Sequence, residues 1–166
     1  MVTAREEQPD DVAAIHALHA EAFPSDAEAR LVDALRAAGR LTLSLVAERD
    51  GAVVGHVGFS PVTLPGARDG LGLAPVAVRE AARRRGVADA LIRAGLARAD
   101  ALGHGFVVVL GDPSYYARFG FTRAADRALR DAYGGGDAFQ VLELRAGALP
   151  PAGGLVEYAP EFEVFE

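Results

Sequence analysis

The sequence predicts one α/β domain with an antiparallel first half and a strand–helix–strand crossover in the second. Three patterns carry that expectation. Leu41, Leu43 and Leu45 alternate with Thr42, Ser44 and Val46, the period of a strand. Asp50-Gly51 follows as a two-residue hairpin signal into a second strand over residues 52–60. Farther on, a helix over 86–102 stops at Gly103 and leads into FVVVL at 106–110, a continuous apolar run that reads as a central strand.

The remaining elements fill in around this frame. Residues 2–5 read as a short extended start, and Pro9-Asp10-Asp11 opens a helix whose apolar positions are Val12, Ile15, Leu18, Ala22 and Phe23. Pro24 ends it. Ser25 and Glu28 have the spacing of a capping box for a second helix, with Leu31, Val32 and Leu35 inward and Gly39 as its stop. Residues 61–70 read as a loop rich in proline and glycine. The strand over 71–78 is interrupted at Pro75, which has no N–H for a ladder and marks an edge or a bulge. Residues 114–118 form a short helical stretch, 133–137 a glycine-rich loop, and 139–145 alternate as a strand that could serve as an edge for a homodimer. A short strand over 155–158 completes a single domain of residues 1–166, its tail beginning near 147.

Composition narrows the chemistry. The chain has 166 residues, 51% of them apolar and 24% charged, in the range of a globular domain. Its net charge of −6 argues against nucleic acid as a partner, since that usually needs a basic face. No apolar run approaches a membrane span, the opening MVTAREEQPDD lacks a signal-peptide pattern, and a cytoplasmic location is expected. There is no cysteine, so thiolate zinc sites and thiol nucleophiles are excluded. All 17 basic residues are arginine, which excludes a P-loop lysine and any Schiff-base lysine. His16 and His19 read as a helix surface, His56 as a strand position and His104 as a turn. None of them pairs at metal-ligand spacing, and no metal is expected.

The stretch LAPVAVREAARRRGVA at 73–88 carries the chemical signal. An apolar strand ends, a basic run follows, and a helix begins at Gly86-Val87-Ala88. A helix start presents unpaired N–H groups and the positive end of the macrodipole, a ready site for phosphate. Gly86 lets the backbone approach a ligand, Ala88 keeps the first turn uncluttered, and Arg83, Arg84 and Arg85 add positive charge. The physical reading is a pyrophosphate cradle, with a solvated basic helix start as its bland rival. A dinucleotide fold lacks its G-x-G-x-x-G here.

Arg83-x-x-Gly86-x-Ala88 after LAPVAV resembles the acyl-CoA motif of the GCN5-related N-acetyltransferases. Tyr116-Ala117-Arg118-Phe119-Gly120-Phe121 resembles a second element of that family, a tyrosine four residues before Gly-Phe. VLGDPSYYARFGF, with Ala22-Phe23 and Glu143-Leu144, is similar to the YhbS-type subgroup in particular, and the likeness runs from about residue 2 to 158. One departure is Arg79-Glu80-Ala81-Ala82-Arg83, where most relatives carry Pro-Glu and then an aromatic or Gln; it makes this loop more basic.

The resemblance implies a fold and a set of roles. The fold would be a mixed, mostly antiparallel sheet of about seven strands, with a central parallel pair that splays apart and helices flanking it. Acetyl-CoA would be the co-substrate and an amine of a small molecule or peptide the acceptor. Val76-Ala77-Val78 would pair with the pantetheine arm as an added strand, and a bulge near Val76 would aim an N–H at the thioester oxygen. Backbone groups of Arg84, Arg85, Gly86, Val87 and Ala88, with the Arg83 side chain, would hold the pyrophosphate. Arg118 is a candidate for the 3′-phosphate or for a surface salt bridge. Tyr116 would protonate the departing thiolate, and Tyr115 reads as packing or substrate wall. Asp112, Glu21 and His56 are the candidate bases, each with a structural role as the competing reading, which for Asp112 is helix capping. The acceptor cleft would be built from the first two helices, the 61–70 loop and the 133–137 loop. A non-catalytic acyl-CoA sensor of the same fold and an unrelated nucleotide-binding module are the competing readings; the first needs only the cradle, and the second leaves the Tyr116 element unexplained.

Overall fold

Turn chemistry and alternation place the first half of the sheet. The computed structural model describes residues 2–165, the Arg68 side chain excepted. Strand β1 (Thr3–Glu6) pairs antiparallel with β2 (Leu43–Arg49), which pairs with β3 (Ala52–Leu64) through the tight Asp50-Gly51 turn, both residues having positive φ. Between β1 and β2 lie helices α1 (Val12–Ala22) and α2 (Ala27–Ala37). Strand β4 (Ala67–Val78) completes the long hairpin with β3, helix α3 (Val87–Ala101) crosses over, and β5 (Phe106–Leu110) lies parallel to β4. After the short α4 (Pro113–Tyr116) come β6 (Thr122–Arg123), β7 (Leu129–Asp131), β8 (Phe139–Glu143) and β9 (Gly154–Val156).

The main sheet has seven strands in the order β1-β2-β3-β4-β5-β8-β6, antiparallel except at β4–β5, and β7 and β9 form a separate parallel pair. Strand alternation assigns its two faces. Val57 and Phe59 look toward α3, where they share a core with Leu71, Val107, Leu91 and Ile92. The opposite face carries Val46 and His56, cross-strand neighbours that meet α1 and α2 through Ile15 and Val32.

Three local expectations are corrected. Residues 61–70 are not a loop: Pro61 pairs with Leu71 and Val62 with Gly70, so only the tip of the hairpin turns. Val62 and Leu64 bury beside Phe106, Val108 and Val156, and that apolar burial overrides the turn preference of the neighbouring prolines and glycines. Strand β8 is not an edge, because β5 pairs along its length and β6 covers Val141 and Gln140 on the other side. Nor does Ser25 form a capping box with Glu28. Helix α2 starts at Ala27, whose N–H bonds the Ser25 hydroxyl at 3.2 Å, and the Glu28 carboxylate is left free of that role.

Candidate functional site

The two parallel strands part company. Strands β4 and β5 pair only at Gly70–Phe106, Leu71–Val107 and Gly72–Val108, after which β4 continues to Val78 with no neighbour on that side. On its other side β4 carries a bulge: Val57 faces Val76 while Phe59 faces Leu73, so two residues of β3 span three of β4. Pro75, which has no N–H, sits within that bulge as its sequence context suggested. The outcome is a stretch of strand from Leu73 to Val78 open along one edge, in the middle of the molecule.

The open edge leads to the start of α3. Gly86 caps that helix with φ +77°, a conformation only glycine adopts without strain, and a Cβ placed there would meet nothing within 4 Å. A cavity of about 360 Å3 lies against this turn, lined by Val78, Arg83, Arg84, Gly86, Val87 and Ala88 from the motif, together with Tyr115 and Arg118. The Arg83 guanidinium donates to the Val78 carbonyl at 3.0 Å, which folds the basic loop back onto the strand end. Arg85 does not line this cavity.

Tyr115, read from the sequence as packing or substrate wall, packs against Tyr116 and Phe119, and its contact with Asp89 is what the sequence reading missed. It is a wall of the cradle, with its hydroxyl donating to Asp89 at 2.7 Å and the Arg118 guanidinium lying 4.3 Å over its ring. Among the described residues Asp89 is the one acidic residue lining this cavity; the Tyr115 hydroxyl and Arg118, at 3.3 Å, hold its carboxyl below the usual range. Arg118 therefore forms the surface ion pair and also borders the cavity. The spacing of Asp89 and Tyr115 in sequence carries no signal of this contact, because only the packing of α4 against α3 creates it.

Tyr116 stands on the other side of α4. Its ring is 7% exposed and packs over Gly111, where a Cβ would come within 2.4 Å of it, and against Phe121. Among the described residues its hydroxyl has no hydrogen-bond partner, and burial raises its pKa, so it holds its proton at neutral pH. Asp112 caps α4: its carboxylate accepts from the Ser114 N–H at 2.9 Å and the Ser114 hydroxyl at 2.8 Å, bonds that lower its pKa. Glu21, 59% exposed at the end of α1, lies 3.8 Å from Arg79.

A second cavity, of about 290 Å3, opens where the strands diverge. Leu73, Ala74, Pro75 and Val76 of β4 and Leu110 of β5 form its floor. Phe23 at the end of α1, Leu31 of α2 and Tyr133 of the 133–137 loop also line it, and the C-terminal segment supplies Tyr158, Phe162 and Phe165. The 61–70 segment does not line it, since its residues belong to the far end of the β3–β4 hairpin, and the tail takes that place. The Arg40–Glu161 ion pair, with one contact at 2.7 Å, fastens the tail beside α2.

His19 is not on a helix surface but fully buried, and it heads a thread of polar groups. Its Nε2 meets His56 Nδ1 at 2.7 Å, and His56 Nε2 meets the Ser44 hydroxyl at 2.8 Å. Ser44 donates to Glu7, which Arg36 grips through two 2.8 Å contacts. Because the Ser44 hydrogen is given to Glu7, the Ser44 oxygen accepts from His56, and His56 in turn accepts from His19. This order sets both tautomers for neutral rings and leaves His19 Nδ1 an unpartnered acceptor. Burial lowers the His19 pKa to about 4 and pushes His56 well below its ordinary value.

A bulged strand open at a parallel splay, ending at a basic helix start, is the architecture of an N-acetyltransferase of the GCN5-related class. The chain belongs to the GNAT acetyltransferase family: residues 3–124 match its acetyltransferase (GNAT) domain. It is 47% identical over 164 residues to the uncharacterized N-acetyltransferase YhbS of Escherichia coli strain K12, covering 97% of this chain and 98% of that protein. The crystal structure of Escherichia coli YhbS in complex with CoA superposes with a TM-score of 0.94 at 46% identity, covering 99% of this chain and 93% of that one. A GNAT family acetyltransferase from Brucella melitensis in complex with acetyl-CoA superposes with a TM-score of 0.83 at 40% identity, covering 98% and 99%.

Proposed function

We propose that this protein transfers an acetyl group from acetyl-CoA directly to an amine. One observation carries the reading: the open edge of β4 runs from Val78, at the α3 cavity, to Val76, at the splay cavity. A donor lying along that edge would have phosphates at one end and its reactive group at the other. Two structural neighbours, crystallised with CoA and with acetyl-CoA, support the choice of donor.

Bound acetyl-CoA supplies an activated acetyl thioester. N–H groups of Arg84, Arg85, Gly86, Val87 and Ala88, with the Arg83 side chain, hold the pyrophosphate; charge-assisted contacts of this kind contribute ~1.5–3 kcal/mol each. Val76, Ala77 and Val78 pair with the pantetheine amides, and the Val76 N–H polarises the acetyl carbonyl. The nitrogen lone pair of the acceptor forms the new C–N bond as the C–S bond breaks. The sulfur leaves with that electron pair and takes the Tyr116 proton, which solvent later restores. We assign Asp112 to holding α4, and with it Tyr116, in place. Glu21, paired with Arg79, is exposed enough to pass the ammonium proton to water. The absence of lysine and cysteine leaves no side chain of those types to carry the acetyl group.

Calorimetric titration with acetyl-CoA, CoA and ATP tests the donor. Acetyl-CoA and CoA binding with weak ATP binding is expected; ATP binding without CoA binding would overturn the proposal.

A further inference from the structure

Among the described residues, one charged side chain lines the splay cavity. Its lining is otherwise apolar and aromatic, with Tyr133, Tyr158, Phe162 and Phe165 closing one side, and Glu28 stands among them in the first turn of α2. The spacing Ser25–Glu28 would have tied this carboxylate into a capping box, but no such bond forms. Among the described residues Glu28 has neither an ion pair nor a hydrogen bond. Ion pairs or hydrogen bonds do engage Asp89, Asp112 and Glu161 elsewhere around the two cavities. A half-buried carboxylate on an apolar wall, with no protein partner, is free to make a charge-assisted contact with a bound cation.

We infer that the acceptor is a small monocationic amine carried on an apolar or aromatic body, with Glu28 selecting its ammonium and the aromatic wall its body. The inference rests on the transferase reading and adds the substrate class. Size suits it: about 290 Å3, near the lower end of ligand pockets, ~300–1,000 Å3, accommodates a small aromatic or aliphatic body. Charge supports it too. A polyamine would satisfy Glu28 with one ammonium and press a second against aromatic carbon with no counter-charge. The rings of Tyr133 and Tyr158, with centroids 5.8 Å apart, give the apolar body an aromatic surface to pack on. Gly72 contributes to this wall, because a Cβ there would fall 2.6 Å from the Tyr158 ring and displace it from β4. Glu28 is a specificity residue, so its loss acts on acceptor binding. Attack still uses the deprotonated fraction of the amine, and kcat/KM rises with pH toward the pKa of that amine.

The test compares 2-phenylethylamine, spermidine and glycine as acceptors, acetyl-CoA and octanoyl-CoA as donors, and wild type with Glu28→Gln and Phe165→Ala. Expected are at least tenfold higher kcat/KM for 2-phenylethylamine than for spermidine or glycine, and at least a tenfold KM increase in E28Q with kcat within threefold. Inhibition by the neutral isostere 2-phenylethanol should be equal in wild type and E28Q. Phe165, 40% exposed at the rim, can be truncated without disturbing the core, and F165A should raise KM for 2-phenylethylamine several-fold while leaving acetyl-CoA affinity unchanged. Preference for spermidine or glycine, an unchanged KM in E28Q, or failure of 2-phenylethylamine to bind the CoA-loaded protein each overturns the inference and leaves the transferase reading intact. Preference for octanoyl-CoA, undiminished in E28Q, would make the cavity an acyl-chain pocket and also overturn it. Absence of acetyl-CoA binding removes the transferase reading and this inference together.

Discussion

The cradle at the start of α3 and the cavity at the splay are built in opposite ways. The cradle comes mainly from one stretch of chain, Val78 to Asp89, with Tyr115 and Arg118 added from α4 and the turn after it. The cavity draws on α1, α2, β4, β5, the 133 loop and the tail, from Phe23 to Phe165. The first can work through backbone N–H groups whose direction follows from helix geometry and one left-handed glycine. The second works through side chains that meet only when the domain has folded. The cavity at the helix start can therefore be written largely in a dozen residues, whereas the splay cavity needs the whole fold.

The largest expected effect breaks the cradle. Gly86→Glu puts bulk and negative charge at the helix start and should weaken acetyl-CoA binding at least ~100-fold by calorimetry, equivalent to losing about two charge-assisted contacts. Gly86→Ala is the companion: its Cβ has open space, so only the left-handed φ opposes it, at ~1–2 kcal/mol. Equal loss in both variants would mean that backbone strain, and not phosphate exclusion, is responsible.

Tyr116→Phe tests the proposed proton donor. It removes a proton donor and little packing, so kcat should fall ~100-fold, within the usual range for general acids, with acetyl-CoA affinity within twofold. Unchanged turnover with a competent amine would assign the proton to water.

Next in size is a pH effect on the helix face behind the cavity. His19 titrates at about 4 when folded and near 6.5 when unfolded, so the unfolded chain takes up the proton first as pH falls. Stability held above pH 6.5 is lost progressively down to pH 4, and His19 alone removes ~2 kcal/mol between pH 7 and pH 5. Urea unfolding at these two pH values should show that loss, and His19→Gln, which retains a donor toward His56, should shrink it. An equal loss in the variant would move the cause to other groups.

The smallest effect sharpens the comparison. Arg85 belongs to the basic run but does not line the cradle, so a role confined to its backbone predicts less than a twofold change in acetyl-CoA affinity for Arg85→Ala. A tenfold loss would show that charge near the helix start matters beyond contact.

Much of the frame was legible because its signals are local. Asp50-Gly51 marked a hairpin, Gly86 a helix start, Pro75 a bulge, and FVVVL a central strand next to its crossover. Local signals misled where tertiary burial competed with them. Residues 61–64 look like a loop by composition, yet Val62 and Leu64 bury with β5 and carry the strand through. His19 sits in a helix pattern that reads as surface, but His56 across the sheet supplies the partner that makes burial tolerable. Ser25 and Glu28 have capping spacing, and α2 starts without using it. Tyr115 and Asp89, 26 residues apart, meet only because α4 packs beside α3.

By itself the sequence determined the hairpin, the crossover and the basic helix start, because glycine, proline and hydrophobic period act on the chain near them, and its two motifs carried the resemblance to the family. The tertiary structure alone decided which carboxylates are free. Asp112 caps, Asp89 pairs and Glu28 stands unpaired in the splay cavity, outcomes set by contacts between distant segments that no local pattern encodes.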